Sequence, residues 1–277
     1  MDSALQHIFD EWYEKKGKGF QRITNLGFFS QPFRIYPQGM NPLVMKIYKP
    51  VRSKELALQI VSHHASYVSC LQHAGVQIPD TFLHLVERHS RNFLVVVQSP
   101  FADDELVRYR MMTGERESCI ALLKALLAQT IDFLQSGVQV GFHPTLRNFA
   151  WREGLWFFDT FPPMDMSQPD LNRIILHFAP VSLPLSRIPT SWVNHVSNEY
   201  YQPSLMLKGL VGSSCRLRPE WSEDFLSQSR LQITVSGLPD HVIEQTLDML
   251  HQPPRLSGLW TGIRSLLGKE GKPNVPR

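Results

Sequence analysis

The sequence predicts an α+β fold, and three observations lead to it. Strand-like and hairpin-like stretches crowd the first hundred residues, at 20–36, 43–48 and 76–98. Helical spacing interrupted by prolines dominates beyond residue 170. Between them lies 117–137, apolar on nearly all faces, followed by an aromatic hairpin at 149–158. Short apolar runs bounded by turn residues read as strands, and a period near 3.6 reads as helix. With 277 residues, 43% hydrophobic and 19% charged, the chain has a globular balance, enough for two lobes around a cleft or one large domain.

The elements follow in order. Leu5, Ile8, Phe9, Trp12 and Tyr13 stand at helical spacing, which predicts a short amphipathic helix over 3–15, ended by the basic turn Lys15 to Lys18. Residues 20–36 read as a hairpin, FQRITNL and FRIYP around a loop containing Gly27 and Ser30. Residues 43–48, LVMKIY, are an apolar strand carrying one cation, Lys46. An ammonium is costly to bury without a partner, so Lys46 either serves a ligand or points to water from a wet face. Ser53 is a candidate N-cap for a helix over 53–74, with Glu55 in its first turn and Gly75 as the stop. His63, His64 and His73 on this helix read as surface or interface histidines rather than metal ligands. Two paired strands follow, the second strongly apolar, and Gln98 to Phe101 lead away from them. Asp103, Asp104 and Glu105 then read either as a solvated helix start or as acids that touch a bound ligand. The helix over 117–137 is predicted to be buried and to end at Gly137.

The stretch from 138 to 163 carries most of the chemistry. Phe149 to Trp151 and Leu155 to Phe158 read as strands joined by the turn Arg152, Glu153, Gly154. This hairpin brings Asn148 and Asp159 together at adjacent strand ends. An amide oxygen and a carboxylate suit a magnesium ion that keeps several waters and bridges nucleotide phosphates. Beyond Asp159, Pro162 and Pro163 exclude a helix at the exit. Further helices are expected at 170–178, 191–201, 220–230, 239–251 and 257–267, with Trp192, Trp221 and Trp260 as core or interface residues, and a loose tail after 268.

Composition excludes several classes. A net charge of +3 is too small to indicate nucleic-acid binding. Cys70, Cys119 and Cys215 are widely spaced with no C-x-x-C pair, so neither a zinc site nor a disulfide framework is predicted, and a reducing cytoplasm is the expected compartment. The first residues contain acids and no long apolar core, so no signal peptide is predicted. No apolar run reaches the length of a membrane span.

The 138–163 stretch resembles the catalytic segment of the protein-kinase-like superfamily, and is most similar to its small-molecule branch of aminoglycoside and choline phosphotransferases. There a catalytic Asp lies five positions before a metal-binding Asn, and a second metal-binding Asp follows a hairpin. Asn148 matches the Asn and Asp159 the second Asp, whereas His143 stands where the family has its catalytic Asp. The order strand Lys, helix, two strands, buried helix, loop Asn, hairpin, Asp is all present. The resemblance implies a two-lobed protein-kinase-like fold: a small antiparallel-sheet lobe with one helix over 1–98, and a mainly helical lobe over 99–268, with 269–277 as tail. It implies ATP and magnesium as cofactors. Lys46 would contact the first phosphates, with Glu55 as its partner or only a favourable acid at the helix start. Gly27 and Ser30 would lie over the phosphates, Gln98 would open the hinge beside adenine, and Asn148 and Asp159 would hold the metal. The family's glycine-rich pattern and the Phe-Gly after its second Asp are absent; the chain reads DTFPP from Asp159.

Two functions follow. One is an ATP-dependent phosphotransferase acting on a small-molecule hydroxyl, with His143 as base and an acceptor the sequence does not name. The other is a pseudokinase that binds nucleotide or a protein partner without efficient transfer. Arg147, one residue before Asn148, would neutralise a transferring phosphate or brace the loop.

Overall fold

The structure is a computed structural model that describes residues 2–23, 30–39, 41–165, 174, 177–178 and 200–254. It is α+β. Five strands form one antiparallel sheet in the order β1-β2-β3-β5-β4, where β1 is Gln21–Arg22, β2 Pro32–Ile35, β3 Leu43–Ile47, β4 Thr81–Arg88 and β5 Arg91–Gln98. Helix α1, Asp2–Glu14, precedes the sheet, and α2, Lys54–His73, joins β3 to β4.

Alternation along β5 explains how both helices pack. Phe93, Val95 and Val97 join Leu5 and Phe9 of α1 in one apolar cluster. Leu94 and Val96 join Ala57 and Ile60 of α2 in another. Successive side chains of a strand point to opposite faces, so a wholly apolar strand requires cover on both. The resemblance implies one helix beside the sheet; α1 is a second, on the opposite face. Arg88 of β4 fastens α1 by ion pairs to Asp10 and to Glu14, the latter at 2.7 Å.

Local signals account for the ends of α2. The Ser53 hydroxyl accepts from Leu56 N at 3.1 Å. At the far end Gly75 takes φ +80°, and the Gly75 and Val76 amides donate to Gln72 O and Leu71 O, both at 3.0 Å. That closes the helix with a left-handed residue that glycine adopts without strain. The β4–β5 connection uses His89 and Ser90 at φ 46° and 58°, a two-residue turn whose twist suits a hairpin.

The rest is mainly helical around a third and larger cluster. Helix α3 is Val107–Thr113 and α4 Arg116–Gln135, the latter with Leu122, Leu123, Leu126 and Leu127 buried. The hairpin β6, Phe149–Trp151, and β7, Leu155–Phe157, pairs Ala150 with Trp156. Then come α5, Pro203–Leu217, α6, Ser222–Thr234, and α7, Asp240–Met249. Helix α7 falls within the expected 239–251, α6 overlaps the expected 220–230 and runs on to Thr234, and Trp221 stands half-buried before α6. Helix α5 was not expected, and it is the most deeply buried of the three. Of the helices expected at 170–178 and 191–201 only isolated positions are described. The stretch 257–267, the tail, Trp192 and Trp260 lie outside the described residues.

Among the described residues no helix is long and apolar enough to cross a membrane. The three cysteines are free.

Candidate functional site

The site begins with strand register. On β3, Met45 faces α1, so its neighbours Val44 and Lys46, and Tyr48 just past the strand, share the other face. All three line a cavity of about 400 Å³. Ser30, Gln98, His143, Asn148 and Asp159 line it as well. A second depression, of about 490 Å³ beside Arg110, Leu122 and Trp151, holds none of these residues.

The wall opposite the sheet is built by the loop before β6 and the residues after β7. Phe142 is fully buried, its ring 4.5 Å from Phe133 and 4.9 Å from Phe157, and this anchors the loop. Leu146–Asn148 make one 3-10 turn. The backbone amide of Phe158 donates to Asn148 O at 3.0 Å, which fixes the exit of β7 against the entry of β6. The spatial pairing of Asn148 and Asp159 follows: burial raises the Asp159 pKa, and a hydrogen bond from the Asn148 side chain partly opposes that rise.

Lys46 crosses to this wall. Its Nζ donates to Phe158 O at 2.8 Å and lies 5.6 Å from the centre of the Phe158 ring. Gln98 Nε2 donates to the same carbonyl at 3.0 Å and to Thr81 Oγ1 at 2.9 Å. Burial pulls the Lys46 pKa down to about 8, and the Asp159 carboxylate opposes that. Burial likewise pushes Asp159 up, against the charges of Lys46 and Arg147 and the bond from Asn148. Each charge opposes the shift that burial imposes on the other.

His143 closes the floor. Its ring is 4.6 Å from that of Tyr200. Asn148 Nδ2 donates to His143 O at 3.0 Å and lies 3.5 Å from Nδ1. Burial, reinforced by the Arg147 charge, lowers its pKa to about 3, so the imidazole is neutral at physiological pH.

Two further expected residues sit differently. Glu55 is exposed at the start of α2, accepts from Ser53 Oγ at 2.7 Å, and is not among the cavity-lining residues. Asp159, not Glu55, is the carboxylate whose charge acts on Lys46. Gly27 lies outside the described residues. Asp103, Asp104 and Glu105 form a 3-10 turn before α3 in which Asp103 and Asp104 are exposed, while Glu105 pairs through both oxygens with Arg152, at 2.5 and 2.7 Å, which brings its pKa down to about 2.

Sequence reasoning passed over Tyr48, Arg108, Tyr109 and Tyr200, which also line the cavity. Tyr48 was within reach, because it lies two residues after Lys46 and shares its face. Among the described residues there is no cluster of three or more His, Cys, Asp or Glu side chains that would hold a metal without help from water or substrate.

The chain belongs to a family of unknown function, DUF6206, whose profile matches residues 10–271. No curated protein matches it.

Proposed function

We propose that the chain is a two-lobed, protein-kinase-like, ATP-dependent phosphotransferase acting on a small-molecule hydroxyl. One observation carries the reading. Lys46, His143, Asn148 and Asp159, drawn from distant parts of the chain, line one cavity with Ser30 and Gln98. In this reading residues 1–98 form the nucleotide lobe, 99–268 the helical lobe, and Gln98 to Phe101 the hinge.

The donor set fits magnesium. Asp159 offers a half-buried carboxylate, and Asn148, whose Nδ2 donates to His143 O, offers its amide oxygen. Both are hard oxygen ligands, and two of them leave room for waters and phosphates. A bound magnesium ion would neutralise phosphate charge. Lys46 holds a phosphate oxygen from the sheet wall. Phosphoryl transfer needs mostly positioning, so a weak base suffices, and neutral His143 accepts the acceptor's proton.

The second reading, a nucleotide-binding or partner-binding pseudokinase, is favoured by the same imidazole. A base with a pKa of about 3 lies far below the working pH and contributes little to proton transfer.

A thermal melt with and without ATP and magnesium, repeated on Asp159→Ala, tests the site. Ligand at about 100 times its Kd adds about 2.7 kcal/mol, which moves the midpoint by roughly 5–10 °C for a chain of this size. A magnesium-dependent shift lost in the variant is expected. No shift at millimolar nucleotide would remove the nucleotide site and leave a partner-binding scaffold or an unrelated function. A shift without transfer to any hydroxyl acceptor would select the pseudokinase.

A further inference from the structure

Arg147 stands in the 3-10 turn before β6 and lines the cavity. Its Nη1 is buried and has no hydrogen-bond partner. Among the described residues no carboxylate forms an ion pair with it, although its charge acts on Asp159 and on His143. A buried guanidinium N–H without an acceptor is unfavourable, and such groups in native proteins call for an explanation. Bracing does not supply one, since the atom braces nothing. The charges of the cavity point the same way. Lys46, Arg108 and Arg147 line it against two carboxylates, Asp103 and Asp159. Lys46 is already held by Phe158 O, on the sheet side. Arg147 is thus a second cation on the opposite wall, with a donor to spare.

We infer that Arg147 is an oxyanion receptor, its unpartnered Nη1 taking an oxygen of a phosphate-class group on the cavity's ligand. The planar guanidinium fork matches phosphate geometry better than an ammonium does. The phosphate is either the terminal one of a nucleotide or one carried by the acceptor itself. In the second case the acceptor is a phosphorylated alcohol and not a cationic amine. The inference rests on this cavity being the ligand site, and does not require the ligand to be a nucleotide.

The test is calorimetric titration of the full chain with inorganic phosphate, alone and on top of ADP with magnesium, and with ATP and ADP separately. Wild type is compared with Arg147→Gln and Arg147→Lys. Phosphate affinity is expected to fall about tenfold or more in Arg147→Gln, as for loss of a charged hydrogen bond, with partial recovery in Arg147→Lys. An equal fall for ATP, with ADP unaffected, assigns the anion to the nucleotide. Unchanged affinity for both nucleotides assigns it to the acceptor. Phosphate affinity within about twofold of wild type in Arg147→Gln overturns the inference, as does wild type that binds phosphate under neither condition. Arg147-dependent phosphate binding by a protein that binds no nucleotide would sink the phosphotransferase reading and leave this one standing. Where Arg147→Gln does not fold, Arg147→Lys decides: a loss of about threefold or more supports the receptor, and unchanged affinity overturns it.

Discussion

Lys46→Met separates the stability of the site from its function. The ammonium lies between the sheet and Phe158, and burial lowers its pKa from 10.5 to about 8. At 1.36 kcal/mol per pKa unit, the charged form at pH 7 carries a penalty of about 3 kcal/mol relative to the unfolded chain. Methionine keeps the apolar stem and removes the charge. Phe158 O keeps the Gln98 donor at 3.0 Å, so no carbonyl is orphaned. Asp159 loses the cation that acts on it most strongly and becomes easier to protonate, which returns part of the gain. The expected net effect at pH 7 is a stabilisation of about 1–3 kcal/mol together with loss of nucleotide binding. The pH dependence supplies a second signature. Because the folded pKa is below the unfolded one, the penalty is fully present below pH 8 and disappears as pH rises to 10.5. Wild type therefore gains stability over that window, and Lys46→Met lacks that gain. Urea titrations at steps from pH 7 to 10.5 measure both. A variant less stable than wild type by about 2 kcal/mol or more would refute the argument, because the Lys46–Asp159 attraction would then outweigh desolvation.

Two more outcomes follow. His64 is buried, shares a 3.0 Å hydrogen bond with Thr160 Oγ1, and has its pKa lowered from 6.5 to about 4 by burial, then by the Lys46 charge. Its neutral form favours the fold above pH 6.5, and stability is lost as pH falls toward 4, by about 2 kcal/mol at pH 5; denaturant titrations of wild type and His64→Gln should show a shallower acid limb in the variant. Phe9 is fully buried, 5.1 Å from the Phe93 ring, so Phe9→Ala is expected to cost about 3–5 kcal/mol and to loosen α1 from the sheet, read as lost amide-exchange protection on β5.

What could be read in the sequence depended on range. Helices α1, α2 and α4 and the five-stranded sheet rest on local periodicity and caps, and these signals were strong at Phe9, Ser53 and Gly75. Helix α5 carried weak ones. Gly209, Gly212, Ser213 and Ser214 are poor helix formers, and its stability comes from packing on all sides. At Gly212 a Cβ would come within 2.8 Å of Pro254 Cβ, so a tertiary contact, invisible locally, demands the glycine. The Glu105–Arg152 pair spans 47 residues and makes one of three apparently solvated acids a fastening for the hairpin. Lys46 reaches Phe158 across 112 residues. That meeting was anticipated only through the order of motifs, not from any property of either residue.

The two donors on Phe158 O make that carbonyl a latch with a spare key. Lys46 comes from β3 and Gln98 from β5, and each holds it separately. An anion that draws Lys46 away leaves Gln98 in place, so the residue before Asp159 stays in register with the sheet. Recruiting the cation then does not release the carboxylate beside it. The cavity can exchange partners at Lys46 without losing the alignment of its two walls.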